Sequence, residues 1–422
     1  MTVSKIVTHA GMTRISQCRM CESQELFQFL DLGTTALADR FMRESQLAMP
    51  EYEYPLEVMM CEGCGLAQLS VVVDPQIMYC DDYPYESSTT RAGGRHWDEF
   101  ARSTAKMLGL GEKDLVVDAG SNVGVLLQSF QRQGTRILGV DPADNIAGIA
   151  RANGVDTITA FFNLETAKQI VASHGQASVL TATNVFAHID DLAGFVAAAD
   201  HLLNVHGVLI IEMPYFVELL QKLEYDTVYH EHLSYISLTP TVKFFARFGM
   251  EVFEVQRRDI HGGSFRLFVR RKNSAATAGI VSQLLELEKK ERAHDPARLK
   301  VFAQAVAQNR ADIGNLLTKL RADGQRIAAV SAPAKGMTLL NYCGLDGDIL
   351  DFVTEKSKLK IGRYTPGTRI KVVSDDALIE KRPDYALLLA WNFSEEIMAN
   401  LKHYSDLGGK FIIPIPTPRI VG

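Results

Sequence analysis

Between residues 113 and 275, short apolar runs alternate with amphipathic stretches. LVVDAG (115–120), RILGVD (136–141), ASVLTAT (177–183) and GVLIIEMP (207–214) are rich in Val, Ile and Leu and are bounded by turn residues, so each reads as a strand. Stretches such as NIAGIARANG (145–154) read as helices between them. That alternation predicts a parallel sheet with crossover helices, an α/β Rossmann-like layer structure. MEVFEVQRRDIHGGSFRLFVRRK (250–272) departs from it and predicts two antiparallel strands around a glycine turn. From 276 to about 322 the period becomes helical, with VSQLLELEKKER and RLKVFAQAVAQNRADIGNLLTKLRADG as two long helices. A second strand–helix alternation follows, with strands at RIAAVSA (326–332), DILDFVTE (348–355), YALLLAW (385–391) and KFIIPIP (410–416). The pattern divides the chain into a small domain at 14–75, a central α/β domain at 76–275, and a helical connector with a C-terminal Rossmann-like α/β domain at 276–422.

Composition narrows the classes. The 422 residues are 47% hydrophobic and 22% charged, an ordinary globular mixture that can bury a core in each domain. A net charge of -6 lacks the basic excess of a nucleic-acid binder, so no nucleic-acid partner is expected. No apolar run approaches the length of a membrane span, and MTVSKIVTHAGMTRISQCRM lacks the apolar centre of a signal peptide. The expectation is a cytoplasmic protein, monomeric or a small homo-oligomer. Six cysteines in so long a chain do not make a disulfide scaffold, and Cys80 and Cys343 read as small buried hydrophobes.

The other four cysteines form two pairs, Cys18-x-x-Cys21 and Cys61-x-x-Cys64. A two-residue gap in a tight turn lets both thiolates face one metal, and four sulfurs satisfy the tetrahedral preference of Zn²⁺. Gly63 and Gly65 flank the second knuckle. With all four positions taken by cysteine no place is left for a catalytic water, so the metal is expected to be structural and to fold a domain too small to stabilise itself. Two redox-active or accidental pairs are the alternative.

The first central strand ends in Asp118-Ala-Gly120-Ser-Asn122-Val-Gly124, and a helix follows at once. Glycines at a strand-to-helix turn let the backbone approach a ligand closely. The next strand ends in Asp141, placed to accept hydrogen bonds from the ribose hydroxyls of an adenosine. The loop is acidic-x-Gly-x-x-x-Gly and not the GxGxxG of a dinucleotide site. A carboxylate at Asp118 suits the cationic amino-acid tail of S-adenosylmethionine, which has no pyrophosphate. S-adenosylmethionine is therefore the expected cofactor and the sheet is of the class I methyltransferase kind. Phe162, beside Phe161, either flanks the adenine or packs in the core. Asn184 ends the strand ASVLTAT at the ligand-binding edge of the sheet.

Methyl transfer to carbon needs a base next to a carbonyl and a means of stabilising the oxygen charge. Tyr229-His230-Glu231-His232 is the richest cluster for this, with a histidine able to act at neutral pH and a carboxylate beside it. The same His-Glu-His run could also hold a metal or be solvated. His188 in NVFAHIDD and His261 in HGGSFR are placed to converge on it.

Taken together these motifs resemble the C-3′ methyltransferases of deoxysugar pathways, which act on nucleotide-linked 4-keto sugars, and most closely the D-tetronitrose branch of that family. The resemblance runs along nearly the whole chain. It rests on the paired CxxC, YPYxSS at Tyr83–Ser88, DAGSNVG, NxxxH at Asn184–His188, YxEH at Tyr229–His232, HGG at His261–Gly263, APAKG at Ala332–Gly336, TPG at Thr365–Gly367 and AWN at Ala390–Asn392. It implies methylation at C-3′ of a sugar carried on a nucleotide such as dTDP, through an enolate. It implies His232 as general base or acid, with Tyr229 and Glu231 beside it, and His188 and Tyr85 lining the pocket. It implies His261, Lys335 and Asn392 on the substrate, Lys335 near a phosphate; an ordinary strand-to-helix turn with a solvated lysine is the alternative there. Asp141 stands where relatives can carry Glu, and His230 is an extra imidazole without an assigned task. A small-molecule O- or N-methyltransferase on the same fold is the competing function, and a zinc-domain scaffold or RNA-binding protein the competitor from another class.

Overall fold

The alternating runs of the middle of the chain form one seven-stranded sheet in a computed structural model that describes residues 11–79, 91–260, 262–272 and 275–422. The strand order is Met250–Arg258, Ser264–Arg271, Leu203–Pro214, Ala177–Thr183, Leu115–Ala119, Arg136–Asp141, Thr157–Thr159. The last five are mutually parallel, and Ser264–Arg271 lies antiparallel to both its neighbours. Leu115–Ala119 is buried along its whole length, as expected where helices cover both faces. The chain leaves this central strand toward Arg136–Asp141 and later returns on the other side with Ala177–Thr183. Their carboxyl ends therefore part at a topological switch point, where open α/β sheets bind ligands.

The N-terminal block folds as an antiparallel sheet of Leu26–Ala36, Glu53–Cys61 and Ala67–Leu69, with Met12–Arg14 and Val71–Val73 paired beside it. Its fourth strand is not local. Ser234–Tyr235, far along the chain in the central domain, pairs with Gln68 and Ala67. Two residues carry no periodicity, so this strand was invisible in the pattern.

The C-terminal alternation forms a six-stranded sheet ordered Val372–Ser374, Val353–Glu355, Ile327–Val330, Tyr385–Leu388, Lys410–Ile413, Arg419–Val421. Only the pairing of the last two is antiparallel. Two of these strands, Val372–Ser374 and Arg419–Val421, are three residues long and were not expected.

The connector is two helices, Gly279–Lys290 and Pro296–Ala322. The second starts where Asp295 accepts from the amides of Ala297 and Arg298 and where Pro296 needs no helical donor. The first belongs physically to the central domain. Its buried Glu288 accepts from the amides of Leu238 and Thr239 and from the Tyr215 hydroxyl, capping the helix Leu238–Ala246 from outside. The second carries Asn309, which accepts from the Tyr225 hydroxyl and donates to the carbonyls of Pro414 and Pro416, so it ties the central and C-terminal domains together. The N-terminal and C-terminal domains also touch directly, through a buried Lys360–Asp39 pair at 3.1 Å. No helix among the described residues is long and apolar enough to cross a membrane.

Candidate active site

The two CxxC knuckles face each other. The four sulfurs of Cys18, Cys21, Cys61 and Cys64 lie within 4.8 Å of one another. The nearest pairs are Cys18–Cys64 at 3.6 Å and Cys21–Cys61 at 3.5 Å, well beyond a disulfide bond. Without a cation such a group cannot ionise fully. The Cys18 thiol is drawn down to about 5 by its hydrogen bond with Cys64, while Cys64 is pushed up by the same partner and Cys21 is raised to about 11 by burial. A divalent ion removes that conflict, so the donor set fits Zn²⁺ with four thiolates. Among the described residues this is the one cluster of three or more His, Cys, Asp or Glu able to hold a metal.

At the switch point lies a cavity of about 770 Å³. Asp118, Gly120, Asn122, Asp141, Phe162 and Asn184 all line it, as does His188. Gly120 has φ +69°, and a Cβ there would come within 2.3 Å of Val185 Cγ2, so both backbone and space demand glycine. Asp141 ends its strand with one oxygen accepting from the Asn122 amide at 2.9 Å and the other from the Ala143 amide at 3.0 Å. These bonds fix the carboxylate and leave a lone pair on each oxygen for ribose hydroxyls. Asp118 accepts from Thr181 Oγ1 at 2.6 Å, and burial raises its pKa to about 7. A carboxylate so poorly solvated favours a cationic group beside it, the property of a methionine ammonium. Phe162 lines the cavity while meeting Phe195 edge-on at 5.4 Å, so it serves core and cavity together. Gly124 is the exception. It sits off the cavity as the cap of the helix Val125–Gln131, with φ +83° and Val155 filling the place of a side chain.

The cavity wall continues into the Tyr229–His232 segment through His188. The His188 and His232 rings are 5.0 Å apart, and Tyr79 stacks on His188 at 6.0 Å with its hydroxyl 3.3 Å from Nδ1. Among the described residues His188 Nε2 is buried without a hydrogen-bond partner, and burial holds the ring well below the usual histidine pKa, with His232 adding to the effect. A neutral imidazole with an unsatisfied nitrogen at a cavity wall is a contact in need of a ligand.

His232 is held at both nitrogens. Nδ1 lies 2.8 Å from the Thr227 carbonyl, which can only accept, so Nδ1 carries the hydrogen. Nε2 then holds a lone pair, and the Tyr229 hydroxyl donates to it at 2.8 Å. Glu231 is buried, and its charge helps burial to raise the Tyr79 hydroxyl's pKa. His230 points elsewhere: it is 2% exposed, its Nε2 lies 3.2 Å from the carbonyls of Tyr54 and Pro55, and burial lowers its pKa to about 4. The His-Glu-His run is thus no metal site; its first histidine fastens the segment to the N-terminal sheet.

The residues expected on the substrate are distributed differently. Lys335 Nζ pairs with the buried Asp226 at 3.3 Å and lies 4.4 Å from the centre of the Trp391 ring, whose Nε1 donates to the same carboxylate at 2.7 Å. The lysine therefore stands beside an internal anion and is largely buried, not solvated. Asn392 follows Trp391, with its Oδ1 buried and lacking a partner among the described residues. Tyr85 and His261 lie outside the described residues, as does Cys80.

Three contributors had no signal in the sequence. Trp97 and Tyr79 line the cavity from short or amphipathic helices whose patterns suggest only packing. Glu212, 1% exposed, is gripped by Arg266 Nε at 2.7 Å and His96 Nε2 at 2.5 Å, while its backbone carbonyl receives the Asn184 amide at 2.7 Å. That buried pair shapes the strand end beside the cavity.

Comparison with known proteins finds similar chains. Residues 18–79 match a family model described as a putative zinc binding domain, 94–255 one described as a methyltransferase domain, and 259–416 one described as a C-methyltransferase C-terminal domain. The C-methyltransferase NovU of Streptomyces niveus is 36% identical over 410 residues, covering 96% of this chain and 97% of that one. A ubiquinone biosynthesis O-methyltransferase of Azorhizobium caulinodans is 26% identical over 118 residues, 28% of this chain and 45% of that protein. Among solved structures, the magnesium protoporphyrin IX methyltransferase of Synechocystis PCC 6803 aligns with 42% of this chain and 83% of that one, at TM-score 0.34 and 15% identity. The end-to-end match to NovU, over a four-cysteine zinc site and an S-adenosylmethionine cavity, makes this chain a member of the C-methyltransferase family.

Proposed function

We propose that the enzyme methylates C-3′ of a nucleotide-linked 4-keto deoxysugar, a dTDP-sugar being the first candidate, by way of an enolate. The observation that carries the reading is the Tyr229–His232 pair, a hydroxyl aligned on an imidazole lone pair close to the cavity histidine. S-adenosylmethionine supplies a methyl group on a sulfonium, an electrophile open to any nucleophile held in line with it; on this reading the nucleophile is carbon. A 4-keto group makes the C-3′ proton acidic enough for a histidine-driven base.

The proton route follows from the tautomer. The Tyr229 oxygen takes the C-3′ proton as its own hydrogen passes to His232 Nε2. The electron pair of the broken C–H bond moves into the enolate. His232 becomes an imidazolium whose Nδ1–H is already directed at the Thr227 carbonyl, which stabilises it. His188, neutral and with one nitrogen unpartnered among the described residues, is positioned for a hydrogen bond to the sugar. The enolate carbon would then bond the methyl as the methyl–sulfur bond broke and its electron pair returned to sulfur, leaving S-adenosylhomocysteine, and the His232 proton would be released to solvent after transfer. Asp118, Asp141, Asn122 and Phe162 hold the cofactor; Asn392 and His261 contribute to the substrate side. Lys335, packed against Trp391 at the junction of the central and C-terminal domains, lies on the substrate side with them.

The test is incubation of the zinc-loaded enzyme with a 4-keto dTDP-sugar and S-adenosylmethionine in deuterated water. A new carbon-bound methyl and solvent deuterium at C-3′ without the cofactor are expected. A methyl on oxygen or nitrogen, with no exchange at C-3′, would overturn the reading in favour of heteroatom methylation.

A further inference from the structure

The zinc knuckle reaches into the active site through one side chain. Arg19 lies between Cys18 and Cys21, and its side chain is 2% exposed. Such a guanidinium, in the middle of a metal-binding turn, would ordinarily face water. Here it is turned inward across three segments. Nε donates to Asp190 Oδ1 at 3.0 Å, and Asp190 stands on the cavity wall two residues after His188. Nη1 donates to the Leu233 carbonyl at 3.3 Å, the residue after His232. The same nitrogen donates to the Leu69 carbonyl at 3.0 Å and the Gln68 side chain at 3.2 Å, both in the N-terminal sheet.

A second observation makes this a junction rather than a chance contact. The segment carrying His232 is itself a strand of the N-terminal sheet. Ser234 and Tyr235 pair with Gln68 and Ala67, and the Leu69 amide donates to the Leu233 carbonyl at 2.9 Å. Gln68, 0% exposed, also receives the Arg19 amide at 3.1 Å, so backbone and guanidinium of the knuckle are held by one residue. The planar fork of arginine serves several acceptors in fixed directions, which the single ammonium of lysine does not.

We infer that Arg19 is a positioning residue that transmits the geometry of the zinc knuckle to His188 and His232. The metal sets the turn Cys18–Cys21, the turn sets the guanidinium, and the guanidinium holds the loop after each histidine. On this view the zinc domain is part of the catalytic apparatus and not an appended fold. The consequence for turnover rests on the proposed role of these histidines; the structural linkage does not.

The experiment uses full-length Arg19→Gln and Arg19→Lys, with zinc content, calorimetric affinity for S-adenosylhomocysteine, turnover, and the imidazole N–H resonance of His232, assigned by its loss in His232→Asn. Zinc content unchanged, cofactor affinity within about threefold, a shifted or broadened His232 resonance, and turnover lowered on the order of 100-fold are expected, since a displacement near 1 Å costs about that much. Lysine should restore only a minor part. Chelation of zinc from the native enzyme should move the same resonance. If Arg19→Gln does not fold, Arg19→Lys and the chelation result decide on the same criterion. An unmoved His232 resonance in a zinc-loaded variant overturns the inference, even if melting temperature has dropped. A moved resonance with native turnover keeps the linkage and removes the histidines from the chemistry.

Discussion

The Tyr229 hydroxyl donates to His232 Nε2 over 2.8 Å, and that imidazole is fixed in one tautomer by the Thr227 carbonyl on its far side. In the proposed mechanism neither residue alone is the base; proton removal needs the oxygen to face the substrate and the nitrogen to accept its hydrogen. Tyr229→Phe and His232→Asn should therefore each lower kcat by roughly 10² to 10⁴, with little change in S-adenosylhomocysteine affinity. The double variant should be little worse than either single one, because the two act as a unit. Additive losses in steady-state rates would separate them.

Gly120→Ala should abolish cofactor binding before it abolishes folding. The backbone there has φ +69°, and the added carbon would press on Val185 at the floor of the cavity. Strain of this kind costs on the order of 1–3 kcal/mol. A melting temperature lowered by several degrees and a loss of calorimetric signal for S-adenosylmethionine are expected; native affinity would show that the loop does not touch the ligand.

Cofactor affinity should rise with pH through neutrality. Asp118, held near 7 by burial, must be ionised to meet a cationic amino-acid tail. Binding at pH 6.5 should then release a proton, detectable as a dependence of the calorimetric heat on buffer ionisation enthalpy. The free enzyme should show the opposite trend in stability. A carboxyl whose folded pKa is raised from 3.8 to about 7 favours folding most at low pH, and that contribution is lost as pH climbs between those values. Asp118→Asn should flatten both trends.

Cys61→Ser should lose zinc and the fold of the N-terminal sheet together, because Cys61 ends a strand of that sheet as well as holding the metal. Metal analysis and proteolysis between residues 18 and 79 would report it. Turnover should fall with the metal, since the sheet includes Ser234–Tyr235. An active, metal-free, protease-resistant variant would contradict a structural zinc.

What could be read from the chain alone is what local patterns encode. Alternating apolar runs placed the central strands at 115–119, 136–141 and 177–183 almost to the residue, because burial on both faces strongly favours apolar side chains. The two CxxC pairs announced a tetrahedral site, and the glycine loop with Asp118 and Asp141 announced a nucleoside-bearing ligand, since both depend on spacing within one turn or one strand end. Tyr229 and His232 were legible as a pair for the same reason, being three residues apart.

Tertiary structure alone decided the contacts between distant segments, where no spacing rule operates. Lys335 and Asp226 are far apart in sequence, so nothing local indicated that the lysine would meet a buried carboxylate. His230 had no task until Tyr54 and Pro55 were beside it, and Tyr79 none until it lay on His188. Arg19 carries no signal in the CxxC spacing, and its burial comes from the loops after His188 and His232 that close around it. Each is a polar group buried only because another segment supplies its partner, and burial of that kind is a property of the folded chain, not of any stretch of it.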